Sequence, residues 1–370
     1  MPVNILETKR MNKARIARFI SGQGSTSKAE ISNKLNLSMP TTLQNVKELV
    51  EAGIVVEEGE YESTGGRKAK ALSIVRDAGY AAGVDITNNH ITMVMVNTRK
   101  EIIQSHRIRR PFQNSIQYYD CLEQGIREFV RKAGTEKGKI IGVGFSLPGI
   151  VDRAQKILIR SHTLNVENVS FRNLESSLGF PCELENDANS AACAELDDKI
   201  TNAVYLSLSN TIGGALYLGG QLYKGENFRS GEFGHMVIER NGRTCYCGKK
   251  GCIDAYCSAK ILQDYAGGSL EDFFEKVRNQ DAEVQEVWND YLDSLAIAVT
   301  NLRMAFDCSI VLGGYVGGYL EEFMPELAKR VLQDNKFDLD TSYLKTGKYK
   351  FEASAYGATL GFVDSFFETV

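Results

Sequence analysis

Four residues capable of holding a metal ion crowd into one short stretch. In GEFGHMVIERNGRTCYCGKKGCID, residues 231–254, His235, Cys245, Cys247 and Cys252 place one imidazole and three thiols within eighteen positions. Three thiolates and one imidazole form a complete tetrahedral set for a structural Zn²⁺, one per chain, with every position filled by protein. A filled set leaves no place for an activated water, so the stretch reads as a staple and not as a zinc hydrolase. Gly248 and Gly251 let the chain turn tightly between ligands. Cys257 is a fifth thiol, expected on the helix that follows. Without metal, so dense a cluster of thiols would invite oxidation. If one ring nitrogen of His235 takes the metal, the other can donate a hydrogen bond, its tautomer fixed by the ion.

A second polar group lies in ELENDANSAACAE. Asn186 and Asp187 are expected at the end of a strand, before a helix that Asn189 or Asp187 would cap. A carboxylate there either caps the helix or works as a hydroxyl acceptor or general base.

The elements that must position these groups belong to a long chain. Its 370 residues exceed the usual single core, so at least two domains are expected. No run of about eighteen apolar residues occurs, and MPVNILETKRMNKARIARFI lacks the apolar centre of a signal peptide. A cytoplasmic protein with no membrane partner is the expectation, and in that compartment thiols stay reduced. Cys121, Cys182, Cys193 and Cys308 are scattered singly and are expected in the core.

Charge divides the chain unevenly. Residues 1–76 carry twelve Lys and Arg against eight Asp and Glu, an excess of four, while the remainder has 31 against 39. The basic head suggests an anionic partner. Residues 11–20 read as a helix with Ile16, Phe19 and Ile20 inward, ended by SGQGS. TSKAEISNKLNLS gives a second helix, and SMPTTLQNVKELVEAG a third, with Ser38 as N-cap and Pro40 in the first turn. On the third, Leu43, Val46, Leu49 and Val50 form an apolar stripe and leave Thr41, Thr42, Gln44, Asn45 and Lys47 outward. Two helices joined by a short turn, the second rich in amides and hydroxyls, match a helix-turn-helix reader of operator DNA. IVVEEGEYESTGGRKAKALSIV then reads as a hairpin wing whose tip carries Arg67, Lys68 and Lys70. A small protein-interaction module with a solvated basic hairpin is the alternative.

From residue 80 the pattern changes. YAAGVDITNNHITMVMVNT gives two strands, EIIQSHRIR a third, SIQYYDCLEQGIREFVRKAG an amphipathic helix and IIGVGFSLPGIVD a buried strand. NAVYLSLSNTIGGALYLGGQLY repeats the strand, glycine turn, strand design, and a helix near 286–306 leads into SIVLGGYVGG. Two such halves imply a duplicated α/β architecture with a cleft between them.

GVGFSLPGIVD, ELENDANSAACAE, GEFGH followed by CYCGKKGCID, and IVLGGYVGG together resemble the ROK proteins (repressors, open reading frames and sugar kinases). The motifs lie in order and span roughly residues 80–360; the winged helices with TGGRKA resemble the front of the sugar-responsive repressor branch. The resemblance implies a winged helix-turn-helix over 1–76. It also implies an actin-like, ribonuclease H-type α/β domain over 77–370, its subdomains at about 77–195 plus 355–370 and 196–354. The implied sugar-binding positions are Gly149, Asn186, Asp187, Glu232, His235 and Asp254, the last usually Glu in the family. In the family's kinases the residue matching Asp187 is the catalytic base, and two glycine-rich loops hold ATP. Here the first, usually Asp-x-Gly-Gly-Thr, reads DITNNH from Asp85 to His90. The second reads SNTIGGA, with Gly213 and Gly214 kept and leading glycines lost. Backbone N–H groups cannot approach phosphates as closely in such loops.

The leading expectation is therefore a repressor of carbohydrate genes that is not an enzyme. Its head would bind operator DNA through Ser38, Thr41, Thr42, Gln44, Asn45, Lys47, Arg67 and Lys68. Its cleft would take a sugar or sugar phosphate, and a homodimer or homotetramer would match paired half-sites. The competing reading is an ATP-dependent sugar kinase with an attached DNA-binding head; a third is a scaffold.

Overall fold

The computed structural model describes residues 5–61, 69–134, 137–196 and 200–369. The head opens with α1 (Ile5–Gln23), α2 (Lys28–Leu35) and α3 (Met39–Glu51), followed by an antiparallel hairpin of β1 (Val55–Tyr61) and β2 (Ala69–Ile74). Ser27 and Ser38 cap α2 and α3, each hydroxyl accepting the N–H three residues on. Helix α1 runs past its expected end at residue 20, because a single Gly22 is a small penalty in a helix that buries Ile16, Ala17 and Ile20.

The body contains two five-stranded sheets of the same design. In the first, β3 (Tyr80–Ile86) pairs antiparallel with β4 (His90–Asn97) and parallel with β6 (Ile140–Leu147). Beyond them lie β5 (Ile102–Arg109) on one side and β10 (Cys182–Asn186) on the other. In the second, β11 (Ala203–Leu208) pairs antiparallel with β12 (Ile212–Leu218) and parallel with β14 (Ser309–Gly313). Here β13 (Gln221–Leu222) and β15 (Leu344–Thr346) form the edges. The orders 10-6-3-4-5 and 15-14-11-12-13 are thus the same path drawn twice, the actin-like duplication expected from the sequence. A small sheet of β7 (Ile150–Asp152), β8 (Ile157–Ser161) and β9 (Val166–Ser170) lies beside the first.

Helices cover both sheets. The first carries α4 (Ile116–Lys132) and α5 (Arg172–Leu178), while α6 (Asp187–Glu195) lies between the halves, its strand contacts mainly with β11 and β12 of the second. The second carries α7 (Asp254–Cys257), α8 (Ala259–Asp264), α9 (Leu270–Arg278), α10 (Ala282–Phe306), α11 (Gly314–Gly317) and α12 (Met324–Asp334). Helix α4 buries Tyr118, Leu122, Ile126, Phe129 and Val130, a spacing that leaves Cys121 exposed and not in the core; Cys193 is half-buried, while Cys182 and Cys308 are buried.

The last helix, α13 (Ala353–Phe366), lies against β3, β6 and α6 at backbone contact. A Cβ on Gly83 would stand 1.9 Å from the Ala355 carbonyl oxygen, and one on Gly144 2.0 Å from that of Ala358. Around this helix Phe362, Val363 and Phe367 share one apolar cluster with Val94 and Ala191 of the body and Ile16, Ile20, Leu49 and Leu72 of the head. Because the obstruction at Gly144 is backbone, Gly144→Ala should destabilise the fold by about 2 kcal/mol. A urea-unfolding midpoint equal to that of the parent would contradict this packing.

Candidate functional site

The inner ends of β6, β10 and β12 converge on a cavity of about 390 Å³, open to solvent and walled on its far side by residues 228–235 and the cysteine stretch. Pro148 and Gly149, Asn186 and Asp187, Thr211 to Gly214, Glu232 and His235 all line it. Asn186 is the N-cap of α6, with its Oδ1 accepting the Asn189 N–H at 3.0 Å and its Nδ2 donating to the Gly149 carbonyl at 3.0 Å. The cap is thus Asn186, where the sequence suggested Asn189 or Asp187. A β-region ψ of 144° suits the residue before the helix, while Asp187 is already helical.

That cap leaves Asp187 at the first turn of α6, facing the cavity with one oxygen accepting the Ala188 N–H at 2.9 Å. Burial pushes its carboxyl up to about 6; the Ala188 N–H opposes the shift and the Glu232 carboxylate adds to it. Behind it Asp85 is buried, accepts the Ser146 hydroxyl at 2.8 Å, and is pushed up to about 7 by burial and by Asp187. Burial and the proximity of the two carboxyls both disfavour a second negative charge at the cleft floor, so Asp85 holds its proton more readily than Asp187. A polyol supplies the hydroxyl donors such a floor accepts.

Asp254 departs from expectation. It is buried outside the cavity lining, and its Oδ2 accepts the backbone N–H of Ile212 at 2.6 Å. The shorter side chain turns to the backbone of the opposite wall and is pushed up to about 6 by burial. It braces the Thr211–Gly214 turn and does not line the cavity.

On the far wall the four metal-ligand candidates assemble as the sequence suggested. One donor atom from each of His235, Cys245, Cys247 and Cys252 lies within 4.8 Å of every other. His235 Nδ1 stands 3.7 Å from Cys245 Sγ, and Cys247 Sγ stands 3.8 Å from Cys252 Sγ. Metal bonds of ~2.3 Å to sulfur and ~2.0 Å to nitrogen in a tetrahedron require edges of about 3.8 and 3.6 Å, so these separations fit an ion at the centre. Gly251 makes the loop possible: its φ is +80°, and a Cβ there would stand 1.8 Å from the Glu239 carbonyl oxygen. Cys257 lies apart, buried in the second core on α7, and is not a ligand.

With Nδ1 toward the sulfurs, His235 Nε2 faces outward, 3.3 Å from the Tyr246 hydroxyl and 3.9 Å from Glu232 Oε2. Tyr246 lines the cavity, as do Arg160, His162, Arg229 and Lys249. Sequence reasoning passed over all of these. Tyr246 carried a usable signal, since it lies between two candidate ligands in the chain; the others carried none, arriving from β8, the turn after it and two separate loops.

The head's outer surface differs from the expected one. Thr42 and Asn45 are buried, while Leu43 and Val50 are exposed; the inward stripe is Thr42, Asn45, Val46 and Leu49. The polar pair can go inside because the helix itself satisfies donors, Thr42 Oγ1 donating to the Ser38 carbonyl at 3.1 Å and Asn45 Nδ2 to that of Thr41 at 2.7 Å. Ser38, Gln44 and Lys47 are exposed and Thr41 partly so. Arg67 and Lys68 lie outside the described residues; Lys70, at the start of β2, pairs with Glu57 at 3.0 Å.

The pattern of the ROK family matches residues 81–363, and that of a winged helix-turn-helix DNA-binding domain matches residues 13–56. The chain belongs to the ROK family, in its repressor branch. The xylose repressor of Bacillus spizizenii is 30% identical over 282 residues, covering 74% of this chain and 71% of that protein. Among solved structures, a ROK family transcriptional regulator described as a homologue of the Escherichia coli Mlc protein superposes over 98% of this chain and 97% of its own, with TM-score 0.76 at 20% identity. The ROK hexokinase of Thermus thermophilus covers 76% of this chain and 97% of its own, with TM-score 0.60 at 26% identity.

The two loops at Asp85–His90 and Ser209–Gly214 are tied into the surrounding chain. The Asn88 and Asn89 carbonyls of the first accept the N–H groups of Phe112 and Arg110, both at 2.9 Å. In the second, the Ile212 N–H is held by Asp254 and the Ser209 carbonyl by the Ala259 N–H. Between them Arg107 of β5 crosses to the other half, its guanidinium 4.2 Å from the ring centre of Phe351 and 5.5 Å from that of Tyr315.

Proposed function

We propose that this ROK protein is a sugar-responsive transcriptional repressor of carbohydrate genes. A sugar or sugar phosphate would be held by Gly149, Asn186, Asp187, Glu232 and His235, and operator DNA by the winged helices. The proposed division puts the head at residues 1–76 and the body at 77–370, with one subdomain around each sheet. The observation that carries the reading is an unbroken run of contacts from cleft to head. Asp187 begins α6, and its carbonyl accepts the Ser354 hydroxyl of α13 at 3.2 Å. Helix α13 crosses α6 so closely that a Cβ on Gly357 would stand 1.7 Å from the Ser190 carbonyl oxygen. Just past its other end, the Glu368 carbonyl accepts Arg10 Nε of α1 at 2.9 Å, and the Glu368 carboxylate pairs with Arg18. A ligand that binds differently to two settings of this helix pair would change the affinity of the head for DNA by the same free energy.

The name of the xylose repressor relative supports the sugar class. A paired operator favours a homodimer or homotetramer. Phosphoryl transfer is disfavoured: Asp187 is in place as a base, but the Ile212 N–H of the second loop is held by Asp254, the Asn88 and Asn89 carbonyls of the first tie it to the chain after β5, and Arg107 stands between the halves. No described helix is long and apolar enough to cross a membrane.

For the cysteine cluster the proposed ion is Zn²⁺, because three thiolates and an imidazole in a closed tetrahedron suit a soft-tolerant ion with no vacant position. Its role would be to fix the wall that carries Glu232, His235 and Tyr246. Elemental analysis of the purified protein should find about one zinc per chain, with Cys252→Ser losing the metal and lowering the melting temperature. Metal-free protein with the same melting temperature and sugar response would overturn the assignment.

The functional reading is tested by a thermal-shift screen over monosaccharides, amino sugars and their phosphates, followed by operator binding with and without each hit. At least one should raise the melting temperature and change DNA affinity, without ADP release in the presence of ATP. Asp187→Asn should abolish the sugar response and spare DNA binding. Affinity of the parent protein should fall as pH drops through about 6, where Asp187 gains its proton and loses acceptor capacity. Sugar-dependent ADP release abolished by Asp187→Asn would favour the kinase instead.

A further inference from the structure

The outward face of α3 exposes apolar side chains where a solvated helix would expose polar ones. Met39 is 41% and Leu43 46% exposed, four residues apart on the N-terminal half of the helix, while Thr42 and Asn45 are buried beneath them. Two apolar residues exchanged for two polar ones cannot be explained by core demand, since Leu43 in the place of Thr42 would bury more apolar area. The exposed pair instead fits a partner with apolar points on an otherwise polar floor. Gln44 stands beside Leu43, with its Nε2 donating to Glu48 Oε1 at 2.8 Å, and Glu48 is itself held by Lys9 at 2.5 Å. That pair orients the amide and leaves it one N–H and its carbonyl oxygen. A directed amide of this kind matches the N7 acceptor and N6 donor of adenine, and the one methyl group in the major groove belongs to thymine.

Resting on the DNA-binding reading of the head, we propose that α3 selects A·T pairs in each half-site, with Leu43 and Met39 packed on thymine C5-methyl groups and Gln44 reading an adjacent adenine. The N-terminal half of a recognition helix is the part that enters the groove, and Met39, Leu43 and Gln44 all lie there. Lys47, exposed one turn further on, would meet the phosphates bordering the same pairs.

The test begins with the full chain selecting duplexes from a randomised library. Each thymidine of the selected site is then replaced singly by deoxyuridine, which removes only the methyl group. The expected result is a loss of affinity of roughly threefold or more at one or two positions per half-site. Leu43→Ala should bind the thymidine and deoxyuridine duplexes equally at one of those positions, and Gln44→Ala should relax selection at the neighbouring adenine. Deoxyuridine tolerated everywhere, or its penalty undiminished in Leu43→Ala, would overturn the inference while leaving the repressor reading intact. A library yielding no selected sequence would overturn the DNA-binding reading itself, and this inference with it.

Discussion

The structure depends on one close crossing. Helix α13 rests on the carbonyls and small residues of α6, β3 and β6, and Gly83, Gly144 and Gly357 are the positions where any side chain would collide with backbone. Backbone contact of this kind is stiff, because no flexible side chain can absorb a shift. The first turn of α6 holds Asp187 in the cleft, and the end of α13 holds α1 through Glu368. A small rotation at one end of so tight a pair has few ways to be lost before it reaches the other. Discrete settings of packed elements are how small changes at a ligand become changes at a distant surface.

The cleft joins two kinds of wall. Its floor is built on rigid elements: a carboxylate at a helix start, backed by a second buried one. Its far wall is a loop that has little regular structure of its own and brings four candidate metal-ligand side chains together. His235 belongs to both, with one nitrogen toward the sulfurs and the other toward the Tyr246 hydroxyl. An ion held by this set would tie the wall's position to its own coordination geometry, which tolerates little displacement.

The cysteine cluster was fully legible in the sequence because ligand chemistry is carried by residue type and the loop keeps the ligands close in the chain. The duplicated sheets were legible because a strand, turn, strand pattern recurs with its glycines. What failed did so through side-chain hydrogen bonds that hydrophobicity does not register. Thr42 and Asn45 bond to carbonyls four residues back and so can be buried, which rotated α3 away from the expected phase. Asp254 looked like a shortened ligand, yet its carboxylate is the partner of the Ile212 N–H, forty-two positions away in the chain. Arg229 and Arg107 gained their places from long-range packing that no local spacing encodes.

The central claim is that the cleft and the head communicate through α6 and α13. It is tested most directly by measuring operator affinity with and without saturating sugar in the parent protein, in Glu368→Ala and in Arg18→Ala. The account predicts a ratio of roughly tenfold in the parent, within the usual range for coupled sites. That ratio should approach one in both variants, with sugar affinity in the absence of DNA unchanged. An undiminished ratio in both variants would contradict it.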